Sequence, residues 1–121
     1  MTVPAVPRLS ADALAACRSL TTALPATLRA DLPRRETRPA SGTTAAWGSP
    51  AITLRCGVPT GSPLDEPYAF NDVHWAMHDI GAGRRWTTTD RRVNIAIEVP
   101  DRYDSQAELL AGLAALIKRT L

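Results

Sequence analysis

At 121 residues the chain is long enough for one core of two packed layers and leaves little room for a second domain. Its 45% hydrophobic content excludes wholesale disorder, while a net charge of +2 and 5% aromatics give neither the field nor the stacking platforms of a nucleic-acid binder. No stretch approaches the roughly 18 consecutive apolar residues of a membrane helix.

Met1–Leu9, with Pro4 and Pro7, reads as an extended lead-in to a domain over residues 10–121. Met1 to Pro7 has no basic start, apolar run or small-residue cleavage site. Ser10 suits the N-cap of a helix, with Asp12 favourable in its first turn. Leu14, Cys17, Leu20 (or Thr21) and Leu24 form its apolar stripe, and Pro25 stops it. A short helical turn is expected over Ala26–Leu32, and Arg34–Thr44 reads as a mobile basic loop.

Trp47-Gly48-Ser49-Pro50 reads as a turn, followed by a half-buried strand over Ala51–Val58, with Ile52, Leu54, Cys56 and Val58 on one row. Pro59–Asp72 has three prolines and reads as a long surface loop. Val73, Trp75 and Met77 alternate with His74, Ala76 and His78 as a second strand, although a helix also fits Val73, Ala76, Met77 and Ile80. A turn at Gly81-Ala82-Gly83 leads into a polar third strand, Arg84–Thr89. Val93, Ile95, Ile97 and Val99 alternate most cleanly, with Asn94, Ala96 and Glu98 outward and Pro100 ending the strand. Ser105–Glu108 has the pattern of a capping box, opening a last helix with Leu109, Leu110, Leu113, Leu116 and Ile117 on its stripe. The expected architecture is α+β: a four-stranded antiparallel sheet with N- and C-terminal helices packed on one face.

Two cysteines in a short chain form a disulfide, a metal pair, a redox pair or two buried thiols. Their separation excludes a C-x-x-C motif. Cys17 lies on the inward stripe of the first helix and Cys56 on an inward strand row, so a bridge is geometrically reasonable. It would contribute roughly 4 kcal/mol by the chain-entropy estimate. Two reduced core cysteines are the competing reading.

Trp47-Gly48-x-Pro50-x-Ile52-x-Leu54-Arg55-Cys56-Gly57-Val58 resembles the signature of the DUF3515 family. Val73-x-Trp75, Thr88-Thr89-x-x-Arg92, Val93–Pro100, Cys17, Leu20 and Leu24-Pro25 extend the likeness from about residue 10 to the C-terminus. The resemblance implies an actinobacterial envelope protein outside the cytoplasmic membrane, with an oxidised cysteine pair and no assigned function. Members typically begin with an anchor or lipoprotein signal, so an export or anchor segment outside this sequence is expected. Membrane association would run only through that segment.

No nucleophile motif or phosphate loop is present, and Asp65-Glu66 reads as a solvated turn. His74 and His78 could share a metal on a helix but sit roughly 13 Å apart on a strand, so no metal and no cofactor are expected. Trp75 and Trp47 read as packing residues, while Trp86, beside Arg84 and Arg85, is the best candidate for an exposed contact. Arg84-Arg85, Arg91-Arg92 and Arg34, Arg35 and Arg38 offer a basic face towards anionic lipid or wall polymer, or plain solubilising surface.

The expected function is a non-enzymatic binding or scaffolding domain. Its binding face would be the open side of the sheet, with Arg55, His74, His78, Arg84, Arg85 and Trp86, and its partner an envelope protein or wall component. Arg55 alternatively pairs with Glu98 and does nothing else. The alternative function is a small hydrolase or ligand-processing enzyme using His74 or His78 with Asp79 or Asp90.

Overall fold

A computed structural model describes residues 1–29 and 31–121. Helix α1 (Ala11–Ala23) starts where Ser10 accepts the Ala13 N–H on its hydroxyl at 3.1 Å. It ends at Leu24, whose extended backbone precedes Pro25. Ala16, Cys17, Leu20 and Thr21 form its buried side. This start and stop are as the sequence predicts, as are Cys17, Leu20 and Leu24 on the stripe, whereas Leu14 is only half-buried and Ala16 packs inward instead.

The next segment differs. In its described residues the expected helical turn over Ala26–Leu32 is a hairpin of β1 (Thr27–Leu28) and β2 (Leu32–Arg35), with Ala30 outside the described residues. Leu28 is buried beside exposed Thr27, an alternation that suits strands better than a helical turn. The Arg34–Thr44 stretch therefore begins in one strand and ends in another, β3 (Thr44–Trp47).

The remaining strands are β4 (Ile52–Val58), β5 (Glu66–Phe70), β6 (Val73–Asp79), β7 (Gly83–Thr88) and β8 (Asn94–Pro100). Residues 73–79 are thus strand, not helix. Among the described residues the sheet has eight antiparallel strands, not four, in the order β1-β2-β3-β4-β8-β7-β6-β5. Two meanders meet along β4 and β8, where Leu54 faces Ile97 and Cys56 faces Ile95.

The unexpected strands have weak patterns for physical reasons. All four residues of β3 are buried, so both faces select small or apolar residues and no alternation appears. β5 is an edge strand, exposed over four of its five residues and carrying Pro67, which an edge tolerates.

The C-terminal helix also departs from expectation. Ser105 has a left-handed backbone (φ 53°) and makes no side-chain cap bond. Gln106 turns inward instead, accepting from the Trp86 indole at 2.9 Å and donating to the Tyr103 carbonyl at 3.0 Å. The helix breaks at Leu113 into α2 (Gln106–Gly112) and α3 (Ala114–Thr120). Lys118 and Arg119 lie in the last turn of α3, where cations suit the helix dipole.

All three helices cover one face of the sheet. Cys17 and Leu20 of α1, Leu109 and Leu110 of α2, and Ile117 of α3 share one core with Ile52, Leu54, Trp75, Ile95, Ile97 and Val99. Within it Cys17 and Cys56 are fully buried and joined, with their Cα atoms 5.6 Å apart. A disulfide suggests a non-cytoplasmic environment. Among the described residues no helix is long and apolar enough to cross a membrane.

Replacing both cysteines by alanine is expected to lower the unfolding free energy by about 2–5 kcal/mol in denaturant titration. Thiol labelling of the unreduced native protein should find no reactive cysteine.

Candidate functional site

Antiparallel pairing fixes which side chains share the face away from the helices. Thr53, Glu98, Arg85 and His78 lie opposite one another on β4, β8, β7 and β6, and form one row. Arg55, Ala96, Thr87 and Ala76 form the next. His74 stands on the same face, opposite Ala69 on β5. Arg55, His74, His78 and Arg85 are therefore brought to one side, as expected.

Arg84 and Trp86 are not. Side chains alternate along β7, so both point to the helix side. Trp86 is buried against Gln106 and the rings of Tyr68 and Phe70, with centroids 5.2 and 5.7 Å away. Its bulk is core, and Arg84 is an exposed residue opposite Asp79. The single basic face fails for the same reason: Arg84 and Arg85 leave the sheet on opposite sides. Asn94, expected outward, is buried and accepts from the Thr88 hydroxyl at 2.9 Å.

Two chain segments partly cover the open face. One is residues 1–9. Thr2 bridges to Arg38 in parallel, and the Val3 N–H donates to the Arg38 carbonyl at 3.1 Å, burying Val3. Leu9 lies against Gly57, where the β4 ladder slips between Cys56 and Val58. A side chain at Gly57 would run into Leu9, and its φ of +94° disfavours other residues. Arg55 donates its Nε to the Pro4 carbonyl at 2.7 Å. The alternative pairing of Arg55 with Glu98 does not form, and Glu98 stands nearest Arg85 instead.

The other cover is the connection from β4 to β5. β5 lies four strands from β4 at the far edge of the sheet, about 19 Å at ordinary strand spacing. Seven residues, 59–65, make this crossing and take the short path over the open face. The Gly61 N–H donates to the Thr88 carbonyl at 3.0 Å, and the Asp90 N–H to the Thr60 hydroxyl at 3.1 Å. A Cβ at Gly61 would sit 2.7 Å from that of Ala76 and 3.1 Å from the Thr87 carbonyl. Only a bare backbone passes this close.

The crossing ends at Asp65, whose carboxylate lies 3.0 Å from His78 Nδ1. Sequence reasoning gave Asp65 to a solvated turn and offered Asp79 or Asp90 as the carboxylate near a histidine. Asp79 instead accepts from the Gly81 N–H in the β6–β7 turn at 2.8 Å. Nothing local marks Asp65, because its partner is set by the crossing.

Beside the crossing lies a groove of about 280 Å³. Its floor carries Thr53, Arg55, Arg85, Thr87, Ala96 and Glu98, and the crossing walls one side. Arg85 Nη1 and Glu98 Oε2 are 4.0 Å apart and more than a third exposed, so solvent screens the pair and it adds little stability. Both charges are free to meet a ligand. Among the described residues no three His, Cys, Asp or Glu side chains converge as metal ligands.

The protein family of unknown function DUF3515 matches residues 1–121, the whole chain. The chain belongs to the DUF3515 family. No curated protein and no solved structure matches it. In this DUF3515 protein the signature stretch from Trp47 to Val58 is the end of β3, a turn and all of β4. It builds the seam of the sheet and contributes Arg55 to the groove.

Gly61→Ala is expected to force the crossing off the sheet and cost about 1–3 kcal/mol. Hydrogen exchange at the amides of residue 61 and Asp90 should accelerate more than at the β4–β8 seam.

Proposed function

We propose that this domain is a non-enzymatic binding module of the actinobacterial cell envelope. An anchor segment outside this sequence would tether it to the outer face of the cytoplasmic membrane. The groove on the open sheet face supports this reading most directly. A floor of paired strands presents Arg55 and Arg85 beside Glu98, with the crossing as a wall on one side. Arginine forks suit carboxylates, and Glu98 suits an ammonium or amide N–H. A peptide segment of an envelope protein, or a wall component carrying both groups, fits this pattern.

The Asp65–His78 pair favours a second reading, a small hydrolase. A carboxylate on Nδ1 would orient the ring and leave Nε2 to move a proton. No motif supplies the nucleophile and oxyanion donors such an enzyme needs. The binding reading asks less of the site.

A photoreactive side chain at Thr53, on the groove floor, should crosslink a defined partner in envelope preparations, whereas one at Arg119 on α3 should not. Arg55→Ala with Arg85→Ala should weaken that capture while moving the melting temperature by only a few degrees. Undiminished capture by the double variant would remove the groove from the interface. A hydrolytic activity abolished by His78→Ala would favour the enzyme.

A further inference from the structure

The open face of the sheet continues past the groove into an apolar hollow. Two residues along each strand from the row of Thr53, Glu98 and His78, on the side away from Arg55, stand Ala51, Pro100 and Ile80. Gly83 completes this third row, paired with Pro100 and accepting the Ile80 N–H on its carbonyl at 3.0 Å. Residues two apart on a strand share a face, so the third row lies on the same side as the groove and has no polar side chain. It lines a hollow of about 430 Å³ with Pro50 and Ala82 at the margin, where Glu98 and Arg102 are the only charged lining residues. Thr53 and Glu98 line both this hollow and the groove, which makes the two continuous. Ile80 is left 39% exposed there, although it is a large apolar side chain.

The neighbouring rows carry the charge. Asp65 is engaged by His78, so among the described groove residues two guanidinium groups, Arg55 and Arg85, face the one free carboxylate of Glu98. A carboxylate on the ligand answers that imbalance, since arginine forks accept it readily. Arg85 is placed for this by its 4.0 Å approach to Glu98, which holds its guanidinium on the open face. The spacing narrows the ligand further. Successive rows are two residues apart, roughly 6.7 Å, which is also the repeat between alternate side chains of any extended peptide.

We infer that this face takes an extended peptide segment with an apolar side chain and an acidic one two positions apart. The apolar side chain rests on Pro100 and Gly83 between Ala51 and Ile80, and the acidic one meets Arg85. This inference depends on the groove being a binding site and specifies what that site selects. Apolar contact supplies affinity and the arginine fixes register, a division common in the recognition of extended peptides.

The test titrates two blocked peptides into the intact chain and follows backbone amide chemical shifts. One peptide carries leucine and aspartate two positions apart, and the other has serine in place of the leucine. The leucine peptide should bind saturably and shift the amides of Ile80, Gly83 and Arg85, with the serine peptide about tenfold weaker or more. Ile80→Asp, at an exposed position, should weaken the leucine peptide about tenfold with the fold intact by circular dichroism. Leu64→Ser removes an exposed apolar side chain outside both linings and should leave the affinity unchanged. Arg85→Ala should weaken both peptides. Equal affinity for the two peptides, or indifference to Ile80→Asp, would overturn the apolar selectivity while leaving the groove as a binding site. No binding of the leucine peptide would also overturn the inference, and the groove itself would still be judged by crosslinking at Thr53.

Discussion

The pairing of β4 with β8 is the constraint on which the architecture rests. Each meander alone is a run of hairpins with one apolar face. Their union along Leu54–Ile97 and Cys56–Ile95 produces a sheet wide enough to support three helices. The disulfide ties α1 to this seam from the helix side, fixing the first helix to the strand on which both halves depend. The seam also dictates connectivity. With β8 occupying the place beside β4, the following strand has to begin at the far edge, and the chain must cross over to reach it.

That crossing turns a flat face into a walled one. An antiparallel sheet with helices on one side ordinarily leaves a broad polar surface on the other. Here the residues 59–65 cross over one part of that surface and Pro4 meets it at Arg55, so the charged groups beside the crossing occupy a groove. Glycine serves both contacts. Gly61 lets a backbone rest on Ala76 and Thr87, and Gly57 makes room for Leu9 at a bulge. The groove is a by-product of topology rather than of any local motif.

Legibility in the sequence followed the same division. Where one face of an element is buried and the other is at least partly wet, the pattern is plain, as in α1 and β4, while β6 fits a helix as well as a strand. β8 alternates cleanly although five of its seven residues are buried, because its second face carries Asn94, Ala96 and Glu98. The two cysteines could be placed on inward rows from spacing alone. Where both faces are buried, as in β3, or neither is, as in β5, the period-two signal vanished and the strands were read as loop. The Ser105–Glu108 pattern misled because Gln106 satisfies the Trp86 indole and pulls the start of α2 inward, taking Ser105 out of capping geometry. At the site, alternation placed Arg55, His74, His78 and Arg85 correctly. The same alternation separates Arg84 from Arg85, neighbours along β7. The Asp65–His78 pair and the Pro4 contact to Arg55 depend on tertiary placement, for which local sequence carries no signal.

The two ends of the sheet bear on how the protein behaves in a crowded compartment. A wide antiparallel sheet offers unpaired backbone at its margins, where another copy can add a strand and begin an aggregate. One margin is β1, only two residues long. The other is β5, where Pro67 removes a donor from the edge and Glu66 precedes it with a charge. Neither presents a long, regular row of donors and acceptors. Margins that another chain cannot readily extend keep so wide a sheet from serving as a template for aggregation.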